Sequence, residues 1–113
     1  MEIYQGEPIG FMLKIKNDDG TYVPSLEGYS LEALLSDQYK NIVGRWKTED
    51  GSMWVGVHDG KGYAAFAMDG DATAALRPDK YTLEMARVIS HGRAIGILKC
   101  IVNVKPALIR RGV

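Results

Sequence analysis

The chain of 113 residues has a single cysteine, Cys100. One cysteine excludes an internal disulfide and a cysteine-built zinc site. Cys100 shares its strand phase with Leu98 and Val102, which predicts a core residue rather than a reactive thiol. The fold must therefore be stabilised by burial of apolar side chains without a covalent cross-link.

Long apolar runs and an excess of charge of one sign are also lacking. No stretch approaches the ~20 apolar residues of a membrane span, and residues 1–6 do not begin a secretory signal. Lys+Arg and Asp+Glu number 14 each, so the formal net charge is zero. This balance argues against a nucleic-acid module and against a polybasic membrane-surface protein. We expect neither nucleic acid nor a membrane as a partner.

The residues that are present predict one folded, turn-rich domain. The apolar fraction is 46%, and 13 Gly accompany only 4 Pro. A chain of this length buries roughly two thirds of its unfolded surface, enough for one core. No linker or repeat divides it, so we expect a domain over residues 1–105 and a flexible C-terminal tail over 106–113.

Strict alternation is the main secondary-structure signal. Ile9, Phe11, Leu13 and Ile15 share one phase, and a turn follows at residues 17–20. Further short alternating segments follow, with Gly-containing turns between most of them. Two of these segments predict further inward-facing sets: Ala64, Phe66 and Met68 in one, and Tyr81, Leu83 and Met85 in the other. The pattern predicts an all-β fold, an antiparallel β-sandwich of about seven strands in two sheets packed face to face.

Two segments depart from plain alternation. Residues 29–37 fit a strand, but Leu31, Leu34 and Leu35 also fit one helical face, so both alternatives stay open on periodicity alone. Residues 71–76 predict one short helical turn, with Asp71 as the N-cap and Pro78 as the stop.

Candidate chemical groups do not combine into a site. His58 and Asp59 are adjacent, so strand alternation should point them to opposite faces, and His91 falls in a predicted hairpin turn. The acidic turns at residues 17–20 and 69–71 lack the spacing of an EF-hand loop. We expect no catalytic, cofactor-binding or metal-binding residue, no cofactor, and no enzyme activity.

Trp54 and Tyr39 are the candidate contact residues for a partner or a glycan. If Met53, Val55 and Val57 face the core, Trp54 is exposed and could anchor a partner. If the phase is reversed, Trp54 is a core residue, and this second interpretation is the one we favour from sequence.

Three segments carry a resemblance to a known family. They are residues 4–9 (YQGEPI), 26–34 (LEGYSLEAL) and 72–85 (ATAALRPDKYTLEM). In this order they resemble the immunoglobulin-like β-sandwich domains of phage tail and baseplate proteins, such as the N-terminal domain of the siphophage upper baseplate protein. The resemblance covers residues 3–104, with Asp79 where the family usually has Gly. It implies a strand at residues 29–37.

The resemblance also implies a function. It points to a non-enzymatic structural or assembly module of a phage or prophage tail, such as a baseplate or tail-fibre adaptor, acting through protein–protein contacts. The implied partners are other tail or baseplate proteins or copies of the chain itself, in a possible homo-oligomer. The implied location is the bacterial cytoplasm during assembly and then the virion. The alternative is a carbohydrate-binding or adhesion β-sandwich module using Trp54 or Tyr39 as a sugar platform.

Overall fold

The computed structural model describes residues 1–90 and 93–107, and this part of the chain forms eight strands and one short helix. In chain order they are β1 Glu2–Tyr4, β2 Ile9–Lys14, β3 Leu31–Ser36, β4 Ile42–Lys47, β5 Trp54–His58, β6 Lys61–Met68, α1 Gly70–Ala74, β7 Lys80–Ser90 and β8 Arg93–Lys105. The expected tail over residues 106–113 lies mostly outside the described residues and stays a prediction.

The strands form two sheets. One has five strands in the order β1-β8-β7-β3-β4, and the other has three in the order β2-β6-β5. The predicted all-β sandwich is confirmed, with one strand more than expected. The extra strand, β1, is three residues long and pairs with β8 in parallel, so the sandwich is not wholly antiparallel. So short a strand has no alternation to reveal it.

This strand order is that of the immunoglobulin fold. The order β2-β6-β5 of the three-stranded sheet matches strands B, E and D. The order β8-β7-β3-β4 within the five-stranded sheet matches strands G, F, C and C′. A second hallmark lies at the start of β7, where the Tyr81 hydroxyl donates a 2.8 Å hydrogen bond to the backbone oxygen of Arg77, four residues upstream. This is the tyrosine corner of immunoglobulin-like sandwiches, which pins the start of strand F to the preceding turn.

The core lies between the sheets and follows the predicted phases. Phe11 of β2, Phe66 of β6 and Leu83 of β7 are all buried. Trp46 of β4 reaches across the layer, with its ring centroid 4.7 Å from that of Phe66. Its Nε1 donates a 3.0 Å hydrogen bond to the carbonyl of Ala67, beyond the part of β6 that pairs with β5. Trp46 therefore links the two sheets by both packing and a hydrogen bond.

The two ambiguous segments are resolved by tertiary contacts. Residues 31–36 form β3, which lies between β4 and β7 and buries Leu31, Ala33 and Leu35. The helix is confirmed, but its predicted cap is wrong: Asp69, not Asp71, accepts the hydrogen bond from the Ala72 N–H. Asp71 lies inside the first turn. No helix in the described part of the chain is long and apolar enough to cross a membrane.

Candidate functional site

Trp54 lies on the outside of the sandwich, so the favoured interpretation of Trp54 as a core residue is wrong. Met53, just before β5, is buried instead. Trp54 pairs with Ala65 and shares its outward phase, which leaves the indole 53% exposed. The inward position next to it was already filled by Met53, and two successive residues cannot both point inward from a strand.

The outer face of the three-stranded sheet carries an apolar row. Met12 of β2 and Trp54 of β5 both pair with Ala65 of β6, so the three side chains lie side by side across the sheet. Met12 is 59% exposed, whereas Ala65 is 5% exposed between its larger neighbours. Two large side chains thus flank a small central residue. We call Met12, Ala65 and Trp54 the apolar row.

The rows next to the apolar row contain two small residues on one side and Tyr63 with Gly56 on the other. On one side lies a pair of small residues, Gly10 and Ala67, which we call the small row. On the other side, Tyr63 lies over Gly56, where an added Cβ would collide with the Tyr63 ring. We call the whole surface the three-stranded face, and its members are Gly10, Met12, Lys14, Trp54, Gly56, Tyr63, Ala65 and Ala67.

The two ends of the three-stranded face carry opposite charges. Lys14 pairs with Tyr63 at one end, and Lys61 pairs with His58 one row further. The Nζ of Lys61 lies 4.5 Å from the centroid of the Tyr22 ring, which holds the cation in place. We call Lys14 and Lys61 the basic end.

At the opposite end, three exposed carboxylates follow the small row: Asp69 leaves β6, Asp71 lies in α1, and Glu7 precedes β2. We call them the acidic end. The Asp69 carboxylate also caps α1 through Ala72. The apolar row therefore lies between charges of opposite sign.

Tyr39, the other sequence candidate, lies elsewhere. It is 70% exposed in the loop between β3 and β4 and lines a cavity of about 180 Å³ with Val43 and Arg77. The Asp37 carboxylate shapes this loop by accepting hydrogen bonds from the Tyr39 and Asn41 backbone N–H groups at 2.8 and 2.9 Å. Desolvation favours protonation of Asp37, but these bonds outweigh it and hold its pKa below the usual value. Tyr39 thus lies in a loop that joins two strands of the five-stranded sheet, whereas Trp54 lies on the three-stranded sheet.

His58 and Asp59 differ from the expectation that they would point apart. The His58 Nδ1 and the Asp59 Oδ2 are 3.5 Å apart. Asp59 has a φ of 52° and Gly60 a φ of 71°, as in the two-residue type I′ hairpin turn, so strand alternation ends at His58. Both side chains are largely exposed, and solvent screens their interaction. His91 lies outside the described residues.

The remaining candidates add no second cluster. Cys100 is half-buried and packs against the core, in line with its predicted inward phase. Among the residues that the structure describes, no group of three or more His, Cys, Asp or Glu side chains could hold a metal ion.

Sequence reasoning missed Met12, Lys14 and Ala65 as members of a surface. The signal was available in part, because Met12 lies opposite in phase to Phe11 and Leu13 on a half-buried strand. Which strand lies beside which, and hence the row itself, depends on the register of β2, β6 and β5. In comparisons with known proteins, no family model and no curated protein matches the chain.

Proposed function

We propose that the chain is a non-enzymatic assembly module of a phage or prophage tail, such as a baseplate or tail-fibre adaptor, acting through protein–protein contacts. The observation that carries the protein-binding part is the apolar row, with Met12 and Trp54 more than half exposed. The tail context comes from the resemblance of residues 4–9, 26–34 and 72–85 to the baseplate sandwich family. In such a role the chain would assemble in the bacterial cytoplasm and remain in the virion.

The chemistry of the apolar row suits a protein partner. Trp and Met are enriched at protein interfaces, and a central aromatic anchor typically supplies much of the binding energy. Here Trp54 lies on a regular strand, so its backbone is held by the pairing of β5 with β6. A rigid backbone lowers the entropy lost when a side chain is immobilised in an interface.

The test is direct binding to the tail proteins encoded beside the gene for this chain. We expect at least one of them to bind the purified chain in biolayer interferometry, and Trp54→Ser to weaken that binding by tenfold or more. The matched control is Ile101→Ser, since Ile101 is similarly exposed (50%) on the opposite face. Absence of tail genes nearby, or of binding to any of their products, would contradict the proposal.

The exposure of both aromatics keeps carbohydrate binding as a second candidate. A sugar platform needs an exposed ring with polar groups beside it, and Trp54 and Tyr39 both meet the first condition. A glycan array separates the two functions. Binding abolished by Trp54→Ser or Tyr39→Ser would favour the carbohydrate function, whereas an assembly module should bind no glycan on the array.

A further inference from the structure

We propose that the three-stranded face pairs with the same face of a second copy of this chain, in a two-fold antiparallel arrangement. The inference rests on the protein–protein part of the proposed function and names its partner. It is carried by three properties of the face: the spacing of its rows, the sign of its two ends, and its area.

The rows complement each other when one copy is turned end over end. Along β2 the outward residues are Gly10, Met12 and Lys14, and along β6 they are Ala67, Ala65 and Tyr63. A two-fold axis across the strands, placed between the small row and the apolar row, brings Met12 and Ala65 of each copy over Gly10 and Ala67 of the other. Trp54, the first residue of β5, then lies over the partner's segment just before β5. The Met12 side chain then lies over Gly10, where an added Cβ would meet nothing within 4 Å. Large side chains fill the space above small ones, as in packed protein interiors.

The same axis also pairs opposite charges. One row beyond the apolar row, Lys14 of one copy lies over the segment of the other where β2 begins, next to Glu7. Lys61, a row further, lies over the partner region that holds Asp69 and Asp71. The alternative axis, parallel to the strands, would place Lys61 against Lys61. Charge complementarity therefore favours the antiparallel arrangement, and a net charge of zero adds no repulsion between copies.

The area fits a weak dimer. With this axis, β2 and β6 of each copy lie over β2 and β6 of the other, whereas β5 begins at the apolar row and does not overlap the partner's β5. Two strands about 4.8 Å apart and about six residues long give a footprint of about 10 Å by 20 Å. The accessible surface lost on each copy is roughly twice that, so two copies bury about 800 Å² together, in the range of weak, transient interfaces. We expect a dissociation constant on the order of 10–100 µM, which lets the contact act cooperatively when copies are held together by an assembly.

The first experiment is sedimentation velocity of the full chain from about 5 µM to 1 mM. The wild-type chain should pass from monomer to dimer across this range. Met12→Ser and Trp54→Ser should each weaken the dimer tenfold or more, and Ile101→Ser should leave it unchanged within about twofold. A chain that stays monomeric at 1 mM, or a dimer insensitive to Met12→Ser and Trp54→Ser, overturns the inference.

The second experiment tests the orientation. Raising the salt concentration should weaken an antiparallel dimer and strengthen a parallel one, because only the parallel form brings like charges together. A variant with Lys14→Glu and Lys61→Glu, and one with Glu7→Lys and Asp71→Lys, should each fail to self-associate. Mixed together, the two variants should restore dimers; a mixture that stays monomeric removes the charge argument. Circular dichroism melting checks that both variants fold.

The two proposals can fail separately. A monomer at 1 mM that still binds a tail protein through Trp54 refutes the dimer and leaves the proposed function standing. A dimer that binds no tail protein supports the surface and refutes the tail function.

Discussion

The outer face of the five-stranded sheet carries two ion pairs between adjacent strands, whereas the outer face of the three-stranded sheet presents Met12 and Trp54 to solvent. On the former, Glu84 lies 3.7 Å from Lys99 and Glu32 lies 3.5 Å from Arg45, each pair bridging adjacent strands. Both faces arise from the same alternation that fills the core. Alternation therefore predicts which side chains lie on the outer faces. It does not predict whether an outer face stays exposed to solvent or is covered by a partner.

Single apolar residues on the five-stranded face do not alter this contrast. Ile101 and Ile42 are both half-exposed and share one row, but Thr82 and Ser36 lie between them. Isolated apolar side chains among polar ones are ordinary on protein surfaces. On the three-stranded face, by contrast, Met12, Ala65 and Trp54 are contiguous. Contiguity, rather than exposure of one residue, distinguishes the candidate docking surface.

The largest loss of stability is expected for a substitution in the interior, compared with one on an outer face. Trp46→Ala should lower the free energy of unfolding by about 3–5 kcal/mol, because Trp46 packs against Phe11 and Phe66 and its Nε1 bonds the Ala67 carbonyl. Urea unfolding measures the loss. The matched control is Trp54→Ala, a tryptophan truncated on the outside. Equal losses for the two variants would show that the sheets do not pack as described.

The next effect concerns the tyrosine corner, which anchors the five-stranded sheet to the turn before β7. Tyr81→Phe removes the hydroxyl that donates to the Arg77 oxygen and should cost about 1–1.5 kcal/mol in urea unfolding. Tyr4→Phe, at an exposed hydroxyl 3.5 Å from Glu2, is the control and should cost less. A Tyr81→Phe variant as stable as the wild type would refute the anchoring role.

The Tyr81 hydroxyl also predicts a pH dependence. Burial raises the pKa of Tyr81 above its ordinary value of 10.0. The unfolded chain therefore ionises Tyr81 before the folded chain does. Its contribution to stability is complete below about pH 10 and is lost as the pH rises further. Melting temperatures from pH 8 to 11 should fall more for the wild type than for Tyr81→Phe, and parallel curves would contradict this.

A smaller effect on stability is expected at the apolar row. Trp54→Ser changes a half-exposed side chain and should alter the free energy of unfolding by less than about 1 kcal/mol at a concentration where the chain is monomeric. Its main consequence should appear in association instead. If Trp54→Ser destabilised the monomer as strongly as Trp46→Ala, the three-stranded face would be part of the folding core rather than a docking surface.

The smallest loss of stability is expected for a substitution on the outer face of the five-stranded sheet. Lys99→Ala removes the ion pair with Glu84, in which both side chains are more than half exposed, and should cost at most about 0.5 kcal/mol. Urea unfolding at low and at 1 M salt measures it, and the difference from the wild type should vanish at 1 M. Sedimentation of Lys99→Ala should match the wild type, since this face is not the proposed contact.

Much of the fold was predictable from local pattern. The inward phases of β2, β6 and β7 were predicted by alternation, and Phe11, Phe66 and Leu83 are buried as expected. The position of α1 was predictable to within a residue or two, but its cap was not. Asp69 and Asp71 are both acceptable N-cap types two residues apart, and the choice depended on where β6 ended.

The candidate site was less predictable because its parts come from separate segments. Trp54 was a candidate from sequence, yet its exposure depended on Met53 filling the inward position. Met12 and Ala65 became its neighbours only through the pairing of β2 and β5 with β6. A strand's own sequence carries its two faces but not the identity of the strand beside it.

By itself the sequence determined an all-β sandwich with a disulfide-free core, because alternation and turn residues act over a few positions along the chain. The tertiary structure alone decided that β1 joins β8, that Trp54 lies outside, and that an apolar row lies between a basic and an acidic end. These features depend on register and on which strands lie side by side, and contacts between distant segments set both.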